Sequence, residues 1–170
     1  MHKKTGFQKF LPVVITVCFL MYHPSIALSQ CNCKQIEQDS GSFYIYCNPF
    51  ISGTDSLGKI MIGISGLGSE KFIHAAFSFE QLPQNFSGGL GITTSDGASW
   101  ICVLVQRQLK EIGGIATANG LFSITNDELK MIRDKKIQSV TFYLDDLEMR
   151  SLQVNYLQED LNAQLNCLEN

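Results

Sequence analysis

Histidine is almost missing from this chain. Of three in 170 residues, His2 and His23 fall within the first thirty positions, and His74 alone lies beyond them. That excludes a metal centre or proton relay built on several imidazoles. No Cys-x-x-Cys pair, Gly-x-Ser-x-Gly elbow or Asp-x-Asp-x-Asp-Gly loop occurs in the sequence. The usual sequence signatures of structural zinc, serine hydrolases and calcium loops therefore go with them. Basic charge is also scarce, with 13 Lys and Arg against 16 Asp and Glu and a net charge of −3. A nucleic-acid partner calls for a clustered basic face. The one basic cluster, Lys130, Arg133, Lys135 and Lys136, is interleaved with Asp127, Glu128 and Asp134 and reads as a solvated helix face.

Long hydrophobic runs are limited to one. A basic start carrying Lys3, Lys4 and Lys9 leads into an apolar stretch from Phe10 to Tyr22, followed by Pro24 and the small-residue site Ala27-Leu28-Ser29. This is the pattern of an export signal, and the stretch is short for a membrane span. The expected organisation is a cleaved signal at residues 1–29 and a single domain at 30–170, secreted, periplasmic or surface-located. With Lys3, Lys4 and Lys9 removed, the acidic excess grows.

The cysteines agree with an oxidising compartment. Six occur, of which Cys18 falls in the signal, leaving Cys31, Cys33, Cys47, Cys102 and Cys167 as disulfide candidates. An odd set in an exported protein means up to two bridges and a spare thiol, an intermolecular bridge, or one cysteine used otherwise. The expected bridges join Cys31 or Cys33 to Cys47, and Cys102 to Cys167. A thiolate metal site at Cys31, Cys33 and Cys47 lacks the ligands to complete it, so no metal or other cofactor is expected. Leu28-Ser29-Gln30-Cys31 also resembles the lipobox of bacterial lipoproteins, with Gln30 where that motif carries a small residue. The resemblance implies acylation of Cys31 and a lipid anchor at the membrane surface, leaving four cysteines to pair evenly; cleavage after Ser29 gives an unanchored product instead.

From Ser42 onward, short β-branched and aromatic runs alternate with Gly, Asn, Asp and Ser, the pattern of consecutive strands and turns. Lys59–Ser65 alternates, and with Phe72–Phe79 it predicts a hairpin across Gly66-Leu67-Gly68-Ser69. Asp96-Gly97 predicts a second hairpin, and Trp100–Val105, apolar on both faces, predicts a central strand. Ile115–Ile124 reads as one strand, or as two broken at Asn119-Gly120. Thr125 with Glu128 forms a capping box, which starts a helix from about Asn126 to Asp134. Ile137–Leu144 alternates, Asp145-Asp146 turns it toward Arg150–Val154, and Leu157, Leu161, Leu165 and Leu168 mark a closing helix. The expected fold is a β-rich α+β domain of about seven or eight mainly antiparallel strands, a sandwich or curved sheet, with two late helices.

Each constellation that could carry chemistry has a plain alternative. His74 sits in a strand without an adjacent acid, so a structural imidazole competes with a catalytic one. Asp145, Asp146 and Glu148 gather at a turn where Asp is a turn former. Glu159 and Asp160 open a helix. The leading expectation is thus a non-enzymatic exported protein that binds a protein or small ligand, with no catalytic or cofactor-binding residue assigned. An inhibitor or immunity-type protein acting on an exported enzyme through the loop at Gln81–Gly91 is the alternative; a hydrolase using His74 is the third.

Overall fold

The computed structural model describes residues 33–37, 43–80 and 83–169, so the expected signal at 1–29 and Cys31 lie outside the described residues. In chain order the elements are β1 (Cys33–Glu37), β2 (Phe43–Cys47), β3 (Ile51–Thr54), β4 (Gly58–Leu67), β5 (Glu70–Phe79), β6 (Leu90–Thr94), β7 (Ser99–Ile112), β8 (Ile115–Ser123), α1 (Asn126–Asp134), β9 (Ile137–Tyr143), β10 (Met149–Gln153), β11 (Asn155–Tyr156) and α2 (Gln158–Glu169). The β-rich character and the two late helices match the sequence reading. The strand number does not, because eleven strands replace the expected seven or eight. The additional ones are β1, β3 and β11, segments of two to five residues too short to show a period of their own. They become strands because a neighbouring strand offers them a ladder.

Every pairing is antiparallel, and the ladders run β1-β2-β4-β5-β8-β7-β6-β9-β10, with β3 joining β4 to β11. The segment Met149–Tyr156 pairs with β9 through β10, then with β3 through β11, and the Val154 amide donates to the Gln138 carbonyl between them. The ring of pairings therefore returns to β4, and the curved sheet closes into a barrel. A closed sheet leaves few unpaired backbone edges. Two edges remain. One is the β1–β2 ribbon, laid against the far end of β4 at Tyr44–Tyr46. The other belongs to β7, which pairs with β6 only through Ser99–Cys102 and then runs on beside β8 from Val103 to Ile112.

The barrel interior is filled by side chains. Ile60, Ile62 and Ile64 of β4, Ile73 and Phe77 of β5, Phe122 of β8, and Val140 and Phe142 of β9 are fully buried. Rings meet across it, with Phe77 and Phe142 centroids 5.3 Å apart and Phe86 placed 5.5 Å from Phe122 and 5.7 Å from Phe142. Phe86 belongs to no strand. Its loop is tied across the barrel by a bridge to Leu144, by the Ser87 amide on the Tyr143 carbonyl (3.0 Å) and by the Asn85 amide on Asp145 (3.0 Å). Burial of such a ring contributes about 2–3 kcal/mol.

Other expectations met mixed outcomes. The β6–β7 hairpin forms as read; the β4–β5 hairpin forms too, but Gly66 and Leu67 belong to the strand and only Gly68-Ser69 connect it to β5. Thr125 and Glu128 close the capping box of α1 reciprocally. Asn119-Gly120 does not break a strand. The chain turns instead at Gly113-Gly114, both with positive φ (60° and 81°), the two-residue turn whose twist suits a hairpin. Alternation in β9 shifts at its start, where Ile137 and Val140 are both buried, because β9 carries an extra residue, Gln138, opposite the Thr93–Thr94 step of β6. The helix α2 lies against β4, with Leu168 close above Gly66, and Leu161 and Leu165 are buried. Tyr156 Oη donates to the Ile132 carbonyl and Gln158 Nε2 to that of Arg133, which locks the two helices together.

Candidate functional site

Cysteine placement comes first, since it bounds what thiol chemistry is available. Cys33 and Cys47 stand opposite each other in the β1–β2 register and form a disulfide, with Cα atoms 3.9 Å apart. Cys167 is also disulfide-bonded, whereas Cys102 is free and buried. The expected Cys102–Cys167 bridge is therefore corrected. Cys102 points inward from β7, opposite Leu90 of β6, while Cys167 rides on α2 against β4. Burial, reinforced by the Glu128 carboxylate, pushes the Cys102 thiol up to about 12. A thiol so poorly ionised is no nucleophile.

His74 lies on the opposite face of β5 from Ile73, Ala75 and Phe77, so its imidazole rests on the outer side of the barrel. Opposite it in β4 is Gly63, where an added Cβ would sit 2.2 Å from Nε2. The missing side chain is what admits the ring. Tyr46 covers it from β2 at a centroid distance of 3.9 Å, nearly parallel. Only 7 % of the residue is exposed, and neither ring nitrogen has a hydrogen-bond partner among the described residues. Burial pushes its pKa down to about 3, so the imidazole is neutral at ordinary pH. Chemically this is a neutral ring with no carboxylate among the described residues to orient it, the reverse of the arrangement that makes a histidine a general base.

The acidic groups of the β9–β10 turn, Asp145, Asp146 and Glu148, are spent on local contacts. Asp145 accepts from Arg107 Nη1 at 2.9 Å, and the same nitrogen donates to the Phe86 carbonyl at 2.7 Å. Asp146 pairs with Arg150 and takes the Glu148 amide, and that amide is the leading cause that holds its carboxyl below the usual range. Glu159 and Asp160 sit in the first turn of α2. In the basic cluster, Lys130 faces Asp127, Arg133 faces Glu169 and Lys135 holds Asp96 at 2.7 Å. Between the helices a cleft of about 280 Å³ is lined by Lys71, Asn126, Leu129, Lys130, Arg133, Leu165 and Glu169, and the Glu169 carboxylate bridges Lys71 (3.5 Å) and Arg133 (3.3 Å) there. Among the described residues no three His, Cys, Asp or Glu side chains converge on a metal position.

What the sequence did not show is the outer face of β7. The strand lies between β8 and β6, central as its apolar run predicts, yet Ile101, Val103 and Val105 are 70 %, 64 % and 57 % exposed. Inward-facing Cys102 and Leu104 alternate with them, while Val105 occupies the bulge between Leu104 and Gln106. The surface beside them is flat. Gly89 lies under Ile101, and Gly88 lies against Tyr143, which is itself partly exposed beside Met149. Beyond Thr117, the last residue of β8 to pair with β5, the hairpin projects as two strands carrying exposed Ile112 and Ile115. The Ile-Gly-Gly-Ile turn was the one legible signal for this projection.

Comparison of the chain with family models, with curated proteins and with solved structures finds no match.

Proposed function

We propose that the protein is a non-enzymatic exported binding protein that engages another protein through β7 and the projecting β7–β8 hairpin. The observation that carries this reading is the exposure of Ile101, Val103 and Val105 in one strand that also leaves part of its edge unpaired. A β-branched strip on a free edge is a liability for an isolated molecule, and a bound partner removes it. The disulfide at Cys33–Cys47 suits an oxidising location. The barrel interior is occupied by Phe77, Phe86, Phe122 and Phe142, so recognition takes place on the outside.

The inhibitor reading keeps one supporting observation, which moves it to another segment. Phe86 is buried and its loop is stitched to β9, whereas the tip from Glu111 to Ala116 stands clear of the barrel. An inhibitory element would be that tip.

The test pairs binding with stability. An Ile101→Lys/Val103→Lys variant should keep the thermal midpoint within a few degrees, since surface substitutions cost about 0.5 kcal/mol or less, and should lose whatever protein the wild type retains from its native exported fraction. Equal retention by both proteins removes the reading, as does turnover of a substrate abolished by His74→Phe.

A further inference from the structure

From Val103 to Ile112 one edge of β7 is paired with β8, and the other has no strand partner among the described residues. The hairpin geometry sets which groups that edge presents. Ile112 and Ile115 flank a two-residue turn, so they form the hydrogen-bonded pair, and pairing alternates back along the strand. Ile112, Lys110 and Gln108 therefore spend their backbone groups on β8. Arg107, Leu109 and Glu111 direct their N–H and C=O groups to the open edge.

Those three residues are self-complementary. When two copies of β7 lie antiparallel about a two-fold axis, inward-facing residues meet inward-facing residues, so only registers that join positions of like parity are allowed. An axis at Arg107 or at Lys110 opposes like charges, and an axis at Gln108 sets Arg107 against Leu109. An axis at Leu109 places Arg107 opposite Glu111 twice, with Leu109 meeting its own copy. Leu109 is 43 % exposed, and Glu111 has no ion pair among the described residues. Arg107, held by Asp145 at 2.9 Å, has further guanidinium donors to offer.

We infer that the chain pairs with a second copy of itself, β7 to β7, antiparallel and centred on Leu109. This rests on β7 being the recognition element and names the partner. About six backbone hydrogen bonds join the copies by the antiparallel pattern, and two Arg107–Glu111 contacts fix the register. The two barrels become one continuous sheet across the axis, which covers the exposed edge.

Sedimentation of the intact exported protein over a wide concentration range, together with mild oxidation of single-cysteine additions, tests this. Expected are a reversible monomer–dimer equilibrium, at least tenfold weakening by Glu111→Lys, and an intermolecular disulfide that forms in Leu109→Cys well ahead of Gln108→Cys or Lys110→Cys. A chain that stays monomeric at several hundred micromolar overturns the inference, and so does a dimer in which Leu109→Cys is not the preferred crosslink. Neither result touches the broader reading of β7, which stands or falls on Ile101→Lys/Val103→Lys. Because Leu109 and Glu111 lie outside the packed interior, unchanged denaturation midpoints show that a lost dimer is not a lost fold.

Discussion

Two long hairpins of this barrel start from comparable sequence and end in opposite surroundings. In β4–β5, ten consecutive pairs run from Gly58–Phe79 to Leu67–Glu70, and most of β4 is buried on both faces. In β7–β8, apolar residues are just as frequent near Trp100–Val105, yet beyond Cys102 most of β7 is exposed. The difference lies in what reaches each outer face. Over β4 lie the ring of His74, the ring of Tyr46 and the disulfide-linked β1–β2 ribbon. Beside β7 the neighbouring residues are small, with Gly91 opposite Ile101 in β6 and Gly89 against the Ile101 side chain, and Ile101 and Val103 stand proud of the surface. A strand that is apolar on both faces is thus a strand with two surfaces to cover; whether the second is covered by its own chain is a separate matter.

The contrast can be tested by making the covered hairpin resemble the open one. The largest effect should come from the shared interior. Phe142→Ala removes a ring that touches Phe77 and Phe86 and should cost about 3–5 kcal/mol in urea denaturation, with the remaining cavity unfilled. Next comes the ribbon. Replacing Cys33 and Cys47 by serine opens a bridge between residues 14 apart and should lower stability by about 3 kcal/mol on the chain-entropy account. In the same variant, hydrogen exchange should rise along Gly63–Leu67, and β7 should be unaffected.

The smallest effect is a pH dependence on the covered face. His74 has its pKa lowered to about 3 in the fold, against about 6.5 in an unfolded chain. The unfolded state takes up the proton first, so the stability of the folded state is full above about pH 6.5 and falls as pH drops toward 3. The slope is at most about 1.4 kcal/mol per pH unit. Between pH 6.5 and 4.5, before carboxylates titrate heavily, His74→Phe should flatten the curve while preserving the stack with Tyr46. An unchanged slope in that variant would assign the dependence elsewhere.

Local features proved the most legible in sequence. The capping box at Thr125 and Glu128, the Asp96-Gly97 turn and the alternation of Ile60, Ile62 and Ile64 each depend on residues a few positions apart, and each appears as read. Short segments were illegible for the converse reason. Nothing in Ile51–Thr54 or Asn155–Tyr156 marks a strand; the first becomes one along β4, and the second only because the first lies beside it. The thiols show the same limit. The Cys33–Cys47 pair is a matter of adjacent strands, but the separation of Cys102 from Cys167 depends on which strand α2 covers.

For the candidate surface the sequence carried half the information. The Gly113-Gly114 pair between two isoleucines is a local mark of the tight turn, and β-branched residues announced strands, because backbone dihedral preference and side-chain branching act locally. By itself, then, the sequence determined the antiparallel β character, the positions of both helices and the scarcity of imidazole and of basic charge, all properties of neighbouring residues or of composition. Only the tertiary structure decided that the sheet closes on itself, that His74 is sealed beneath Tyr46 and that β7 keeps an open edge. Closure and exposure depend on contacts between residues far apart in the chain, and burial is a property of what finally lies on top.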